Sequence, residues 1–224
     1  MRESLIVLLN DRITSRMTSQ PAFKRAERTF ARAQPDERRA SLIEACARVL
    51  AREGAAGASV RAIALEAGVS PGLIGHYFGG VDALVAATYA QVEARVTAAL
   101  DAAVEGAGSD PRARLEAYVT ASLLPPIADS ELLSTWIAFW SLVRARPEIA
   151  KLHDEQYGRF RSGLEALLTE TGIAASALRR IAIAVTALVD GLWLEQCLSP
   201  GTFAPGEAAA IARSGLAGLI STGR

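Results

Sequence analysis

The chain has 224 residues, half of them hydrophobic, with 24 basic and 24 acidic side chains. That much apolar material excludes disorder throughout, and two cysteines, Cys46 and Cys197, are too few for a disulfide framework, which points to a reducing cytoplasm. The most apolar run, Ile181 to Val189, spans nine residues between Arg180 and Asp190, and the patch Leu5 to Leu9 is too brief for a secretory leader, so a soluble protein with no membrane partner is expected.

The zero net charge is unevenly spread. Residues 1–39 hold nine basic and five acidic groups, a balance of +4, against −1 over residues 40–85 and −3 beyond. Residues 1–34 show no sustained periodicity and read as a flexible basic arm, either suited to phosphate contacts or a solvated tail with no partner. Met17 offers a second start within this arm.

From Asp36 the pattern turns helical. Leu42, Ile43, Cys46, Val49 and Leu50 form one apolar stripe, which Gly54 and Gly57 end. Ser59 is a good N-cap for a short helix to about Ala67, and Gly68 breaks it. Ser70 is expected to cap a second short helix that opens on Pro71 and stops at Phe78 before Gly79 and Gly80. A long helix follows from Val81, with Leu84, Val85, Thr88, Val92, Val96 and Leu100 on one side. Further helices are expected at 111–124, 131–145, 147–170, 175–198 and 206–221. No alternating strand with hairpin turn chemistry is present, so the fold is all-α with about nine helices.

The most informative stretch is residues 59–78, SVRAIALEAGVSPGLIGHYF. Two short helices joined by a tight glycine turn have the form of a helix-turn-helix. Ile63 buries itself between the helices, Ala64 allows close crossing, Val69 plugs the turn, and Ile74 and Tyr77 anchor the second helix from within. Ser70, Pro71, Gly72, Gly75 and His76 are left toward the outer edge or the helix start, where a recognition helix meets base edges. Ser59, Arg61, Tyr77, Arg38 and Arg39 complete the expected DNA-contacting set. An ordinary helical hairpin with a glycine turn is the alternative.

Residues 36–89 resemble the N-terminal domain of the TetR/AcrR family of transcriptional regulators, through RRASLIEACARVLAREG, SVRAIALEAGVS, PGLIGHYF and VDALVAATY. WIAFW at 136–140 and ALVDGLWLEQCLS at 187–199 are similar to the BetI-type subgroup. The resemblance implies a homodimer that binds a palindromic DNA operator, probed by a three-helix domain at 35–82, and releases it when a small molecule fills the ligand-binding and dimerisation domain at 83–224. One departure is Val81, where relatives usually carry a lysine that clasps a phosphate. Lys24, Arg25, Arg28, Arg32, Arg38 and Arg39 are expected to compensate.

In the C-terminal part, the helix at 175–198 is apolar on nearly every side, and such a helix is buried all round. Either it runs through the core of a monomer, or a second subunit covers one face. The second reading takes Ile181, Val185, Leu188 and Leu192, with Leu216 and Leu219 of the last helix, as the dimer seam. Tyr118, Trp136, Phe139, Trp140 and Trp193 form the expected ligand box, with aromatic packing in a plain helical core as the alternative. The resemblance implies a quaternary ammonium such as choline, and each ring face attracts a desolvated cation by up to about 2 kcal/mol. Asp129, Glu131 and Asp190 are the candidate carboxylates.

No enzyme is expected. His76 and His153 sit in different segments without cysteine partners at metal-ligand spacing, and nucleophile-elbow, phosphate-loop and dinucleotide patterns are missing. Neither metal nor cofactor is implied. A helical protein-interaction adaptor that does not bind DNA is the remaining alternative function.

Overall fold

The computed structural model describes residues 35–221, and the arm at 1–34, with Lys24, Arg25, Arg28, Arg32 and the second start Met17, lies outside them. The described residues form nine α-helices and one 3-10 turn, with no strand among them. In chain order these are α1 (Pro35–Gly57), α2 (Val60–Glu66), α3 (Gly72–Phe78), α4 (Val81–Gly106), α5 (Pro111–Ala121), α6 (Ser130–Val143), α7 (Pro147–Glu170), α8 (Ala175–Leu198), the 3-10 turn (Pro200–Thr202) and α9 (Glu207–Ser221). The periodicity gives α7 and α8 to the residue. The turn at Pro200 was not expected.

Local chemistry accounts for the boundaries. Gly54 leaves helical geometry (φ 67°, ψ −172°), so the regular part of α1 ends there and a short turn is appended. Asp110 caps α5 by accepting from the Ala113 amide, and Asp129 caps α6 by accepting from Glu131 and Leu132. The expected Ser70 cap is corrected: Pro71 itself is helical (φ −54°, ψ −33°) and takes the N-cap position, so the preset proline ring starts α3 and the Ser70 side chain is left exposed.

From Arg39 onward the chain packs as one compact unit, and the boundary expected at 82/83 falls in the first turn of α4 within it. Leu42, Cys46, Val49, Leu50, Ile63, Ile74 and Leu84 are wholly buried under α1–α4, while Leu115, Phe139, Leu164, Leu168, Ile181 and Val185 fill the larger bundle. α8 is long and apolar enough by length and composition to cross a bilayer, although its longest uncharged run is nine residues. Its inner face, Ile181, Ala182, Val185, Thr186, Val189, Leu192 and Trp193, lies in the core. α9 packs close against it at Gly215, where a Cβ would stand 2.6 Å from Leu188 Cδ2.

Candidate functional site

The corner at 59–78 is built as its residues dictate. The Ser59 hydroxyl accepts from the Ala62 amide at 3.2 Å and starts α2. Gly68 takes φ 65°, a left-handed conformation that side chains with a Cβ avoid, and the Val69 amide then donates to Ala64 O at 2.9 Å to close the turn. Ile63, Ala64 and Ile74 are buried beneath it. Glu66 receives both Arg48 (2.6 Å) and Arg52 (3.0 Å), which braces α2 against α1 and holds the Glu66 carboxyl below the usual range.

The outer edge follows from that inner packing. Ser70, Pro71, Gly72, Gly75 and His76 are exposed, as are Ser59 and Arg61. Tyr77 is half-buried, and its ring meets His76 edge-on at 5.0 Å. Arg39 donates to the Tyr77 carbonyl and covers the Phe78 ring at 4.3 Å, so its guanidinium pins the end of α3 to α1 rather than reaching outward. Arg38 lies on the first turn of α1. Leu65, 82 % exposed and one turn from Arg61, is an edge residue that the apolar pattern missed, because periodicity assigns leucine to the core.

A second site lies in the larger bundle. A small, half-open cavity of about 60 Å³ is walled by Trp136, Trp140, Tyr157, Phe160 and Trp193, with Gln156 and Asp190 as polar groups. Three of the five expected box residues meet there. Tyr118 and Phe139 lie outside its lining. Tyr118 stacks on the back of Phe160 (5.1 Å, 24°), and Phe139 is fully buried against Tyr89 at 4.8 Å. Of the three candidate carboxylates, Asp129 caps α6, Glu131 is exposed, and Asp190 lines the cavity.

Asp190 accepts from the Tyr157 hydroxyl at 3.0 Å. Burial pushes its carboxyl up to about 6, against which the Tyr157 hydrogen bond and the nearby Arg161 pull down. Burial raises the Tyr157 phenol well above its ordinary value and lowers His153, whose ring tilts on Tyr157 at 4.2 Å. The Trp193 indole donates to the Ser122 carbonyl, while the buried Trp136 indole nitrogen has no hydrogen-bond partner among the described residues. Aromatic faces around one buried carboxylate favour a small organic cation.

The six residues expected at the dimer seam fall into two groups. Ile181, Val185, Leu192 and Leu216 are covered by their own chain, and only Leu188 and Leu219 keep some surface open. The apolar face of α8 that remains bare is Ile183 (42 % exposed), Leu194 (39 %) and Leu198 (66 %), with Ala187 and Gly191 between, and Ile211 (41 %) of α9 is exposed as well. No group of three or more His, Cys, Asp or Glu among the described residues could hold a metal ion. Burial pushes the Cys46 thiol up to about 11, as suits a core residue.

An exposed helix-turn-helix edge, carried by one long helix into a bundle with its own cavity, defines a DNA-binding transcriptional regulator. Residues 42–88 match the bacterial regulatory proteins of the tetR family, and residues 111–221 match the C-terminal part of BetI-type transcriptional repressors. The HTH-type transcriptional regulator BetI of Paraburkholderia phytofirmans is 35 % identical over 166 residues, covering 74 % of this chain and 85 % of that one. A transcriptional regulator of Pseudomonas aeruginosa PAO1 superposes with a TM-score of 0.79 at 42 % identity, covering 87 % of this chain and 96 % of that one. A Saccharomonospora viridis regulator solved in complex with choline shares the fold, with a TM-score of 0.66 at 23 % identity over 83 % of this chain and 96 % of its own. The chain belongs to the TetR family, with a BetI-type C-terminal part.

Proposed function

We propose that this regulator is a cytoplasmic homodimeric repressor, not an enzyme, that holds a palindromic operator and releases it when a small organic cation enters the cavity. The observation that carries the DNA-binding reading is the edge Ser70, Pro71, Gly72, Gly75 and His76, exposed as a set while Ile74 between them is wholly buried. That arrangement suits insertion of α3 into a major groove, with Ser59, Arg61 and Tyr77 toward the flanking phosphates. Residues 35–82 then act as the DNA-binding part and residues 83–224 as the effector and dimerisation part. The bare face Ile183, Ala187, Gly191, Leu194 and Leu198 is the surface we assign to the partner subunit, with Ile211, Leu188 and Leu219 at its margin.

The effector class follows from the cavity. Trp136, Trp140, Tyr157, Phe160 and Trp193 offer ring faces, and Asp190 offers the counter-charge, which together suit a quaternary ammonium such as choline. An effector that prefers the conformer with the two recognition helices misplaced lowers operator affinity by its differential binding energy. The test is a mobility-shift titration on the DNA upstream of the chain's own coding sequence, with and without choline. Specific binding weakened by choline supports the proposal. Binding no tighter than to unrelated DNA contradicts it and favours the adaptor. Tight binding indifferent to choline removes that effector alone.

A further inference from the structure

Three polar links join α7 and its N-cap to one face of α4. Arg146 pairs with Asp82, the Tyr89 hydroxyl donates to Gln156 Oε1 at 2.6 Å, and Arg159 pairs with Glu93 at 3.0 Å. Their α4 members are seven and four residues apart, which keeps them on one side of the helix. The two ion pairs each have a partner with its side chain more than half exposed, where water and salt screen them. The middle link differs. Tyr89 is 1 % exposed, and burial raises its phenol above the ordinary value, so it stays protonated and keeps donating.

Tyr89 also touches both walls of the cavity. Gln156, its acceptor, lines the cavity from α7, and Trp136, which its ring meets edge-on at 5.1 Å, lines it from α6. α4 in turn starts at Val81, three residues after α3 ends at Phe78. α4 also lines the cavity directly at Val96, seven residues beyond Tyr89, so a displacement by an occupant reaches this helix at two points, and Tyr89 is the one made through a hydrogen bond to a lining residue.

We propose that Tyr89, held by Gln156, is the positioning residue that transmits cavity occupancy to α4. This rests on the regulator reading above and adds the residue pair through which the two sites are coupled. Removing the hydroxyl leaves the ring, and hence the packing, in place. The coupled quantity is the ratio of operator affinities without and with saturating choline.

The experiment compares wild type with Tyr89→Phe, Gln156→Leu, the double variant and Glu93→Gln as a control at the neighbouring ion pair. Operator affinity is read by fluorescence anisotropy and choline binding by tryptophan fluorescence. Tyr89→Phe is expected to keep its operator affinity without choline and its choline binding, yet lose about five-fold of the ratio. Gln156→Leu loses a similar factor, the double variant loses no more than either, and Glu93→Gln changes little. An unchanged ratio in Tyr89→Phe, or additive losses in the double variant, overturns the proposal. Amide hydrogen exchange on the free full-length protein decides it without any effector. Tyr89→Phe and Gln156→Leu are expected to speed exchange several-fold over residues 81–93, and unchanged exchange overturns it. A wild type that ignores choline or DNA instead counts against the regulator reading, and the exchange result still stands by itself.

Discussion

Binding of a cation in the cavity is expected to depend on pH through Asp190. Its carboxyl, pushed up to about 6 by burial, is ionised in roughly a tenth of the free molecules at pH 5 and nine-tenths at pH 7. A cation needs the ionised form, so choline affinity should fall about ten-fold from pH 7 to pH 5. The facing groups do not reverse this sign. Tyr157 stays protonated throughout, and His153, lowered by burial, adds positive charge only on the acid side. Asp190→Asn should bind choline more weakly at pH 7 and lose most of the slope, leaving whatever His153 supplies. The assay is intrinsic fluorescence, because all three tryptophans of the chain, Trp136, Trp140 and Trp193, wall the cavity. Equal affinities at pH 5 and 7, or a full ten-fold slope retained in Asp190→Asn, would refute the assignment of Asp190 as the counter-charge.

The same carboxyl carries a stability signature. Folding raises its pKa from 3.8 to about 6, so the folded state is penalised once the pH climbs through that interval. Asp190→Asn should therefore stabilise the free protein by about 1–3 kcal/mol at pH 7.5 and by nothing at pH 3.5, as read from urea melts at the two values. Ile74→Ala empties a wholly buried site beneath the recognition helix and should cost about 2–5 kcal/mol in the same melts. Leu198→Glu charges the most exposed apolar residue of α8 and should shift the chain from dimer to monomer in analytical ultracentrifugation. An unchanged sedimentation coefficient would remove that face from the proposed interface.

What was legible in the sequence is what neighbouring residues decide among themselves. Ser59 caps Ala62, Gly68 turns left-handed, and Ile63 and Ile74 close on each other over eleven residues, so the corner could be drawn from spacing alone. Pro147 and Gly172 bracket α7 for the same reason. Position around a helix within the bundle was not legible. α8 carries apolar residues on both faces, and nothing local distinguishes Ile181, which the core takes, from Ile183, which it leaves bare. The aromatic content of the cavity was visible, but Tyr118 and Phe160 exchange places because their stack presents only Phe160 inward. Asp190 did leave a signal: a lone carboxylate closing the apolar run from Ile181 to Val189 has to be exposed, paired or functional.

The most direct test is a hydroxyl-radical footprint of the protein on the DNA upstream of its coding sequence. Two α3 edges related by a twofold axis should protect two half-sites about 34–36 Å, or 10–10.5 base pairs, apart, on one side of the duplex. Protection should fade when choline is added. A single protected patch, or none above that seen on random DNA, would contradict the claim that this exposed corner reads an operator in pairs.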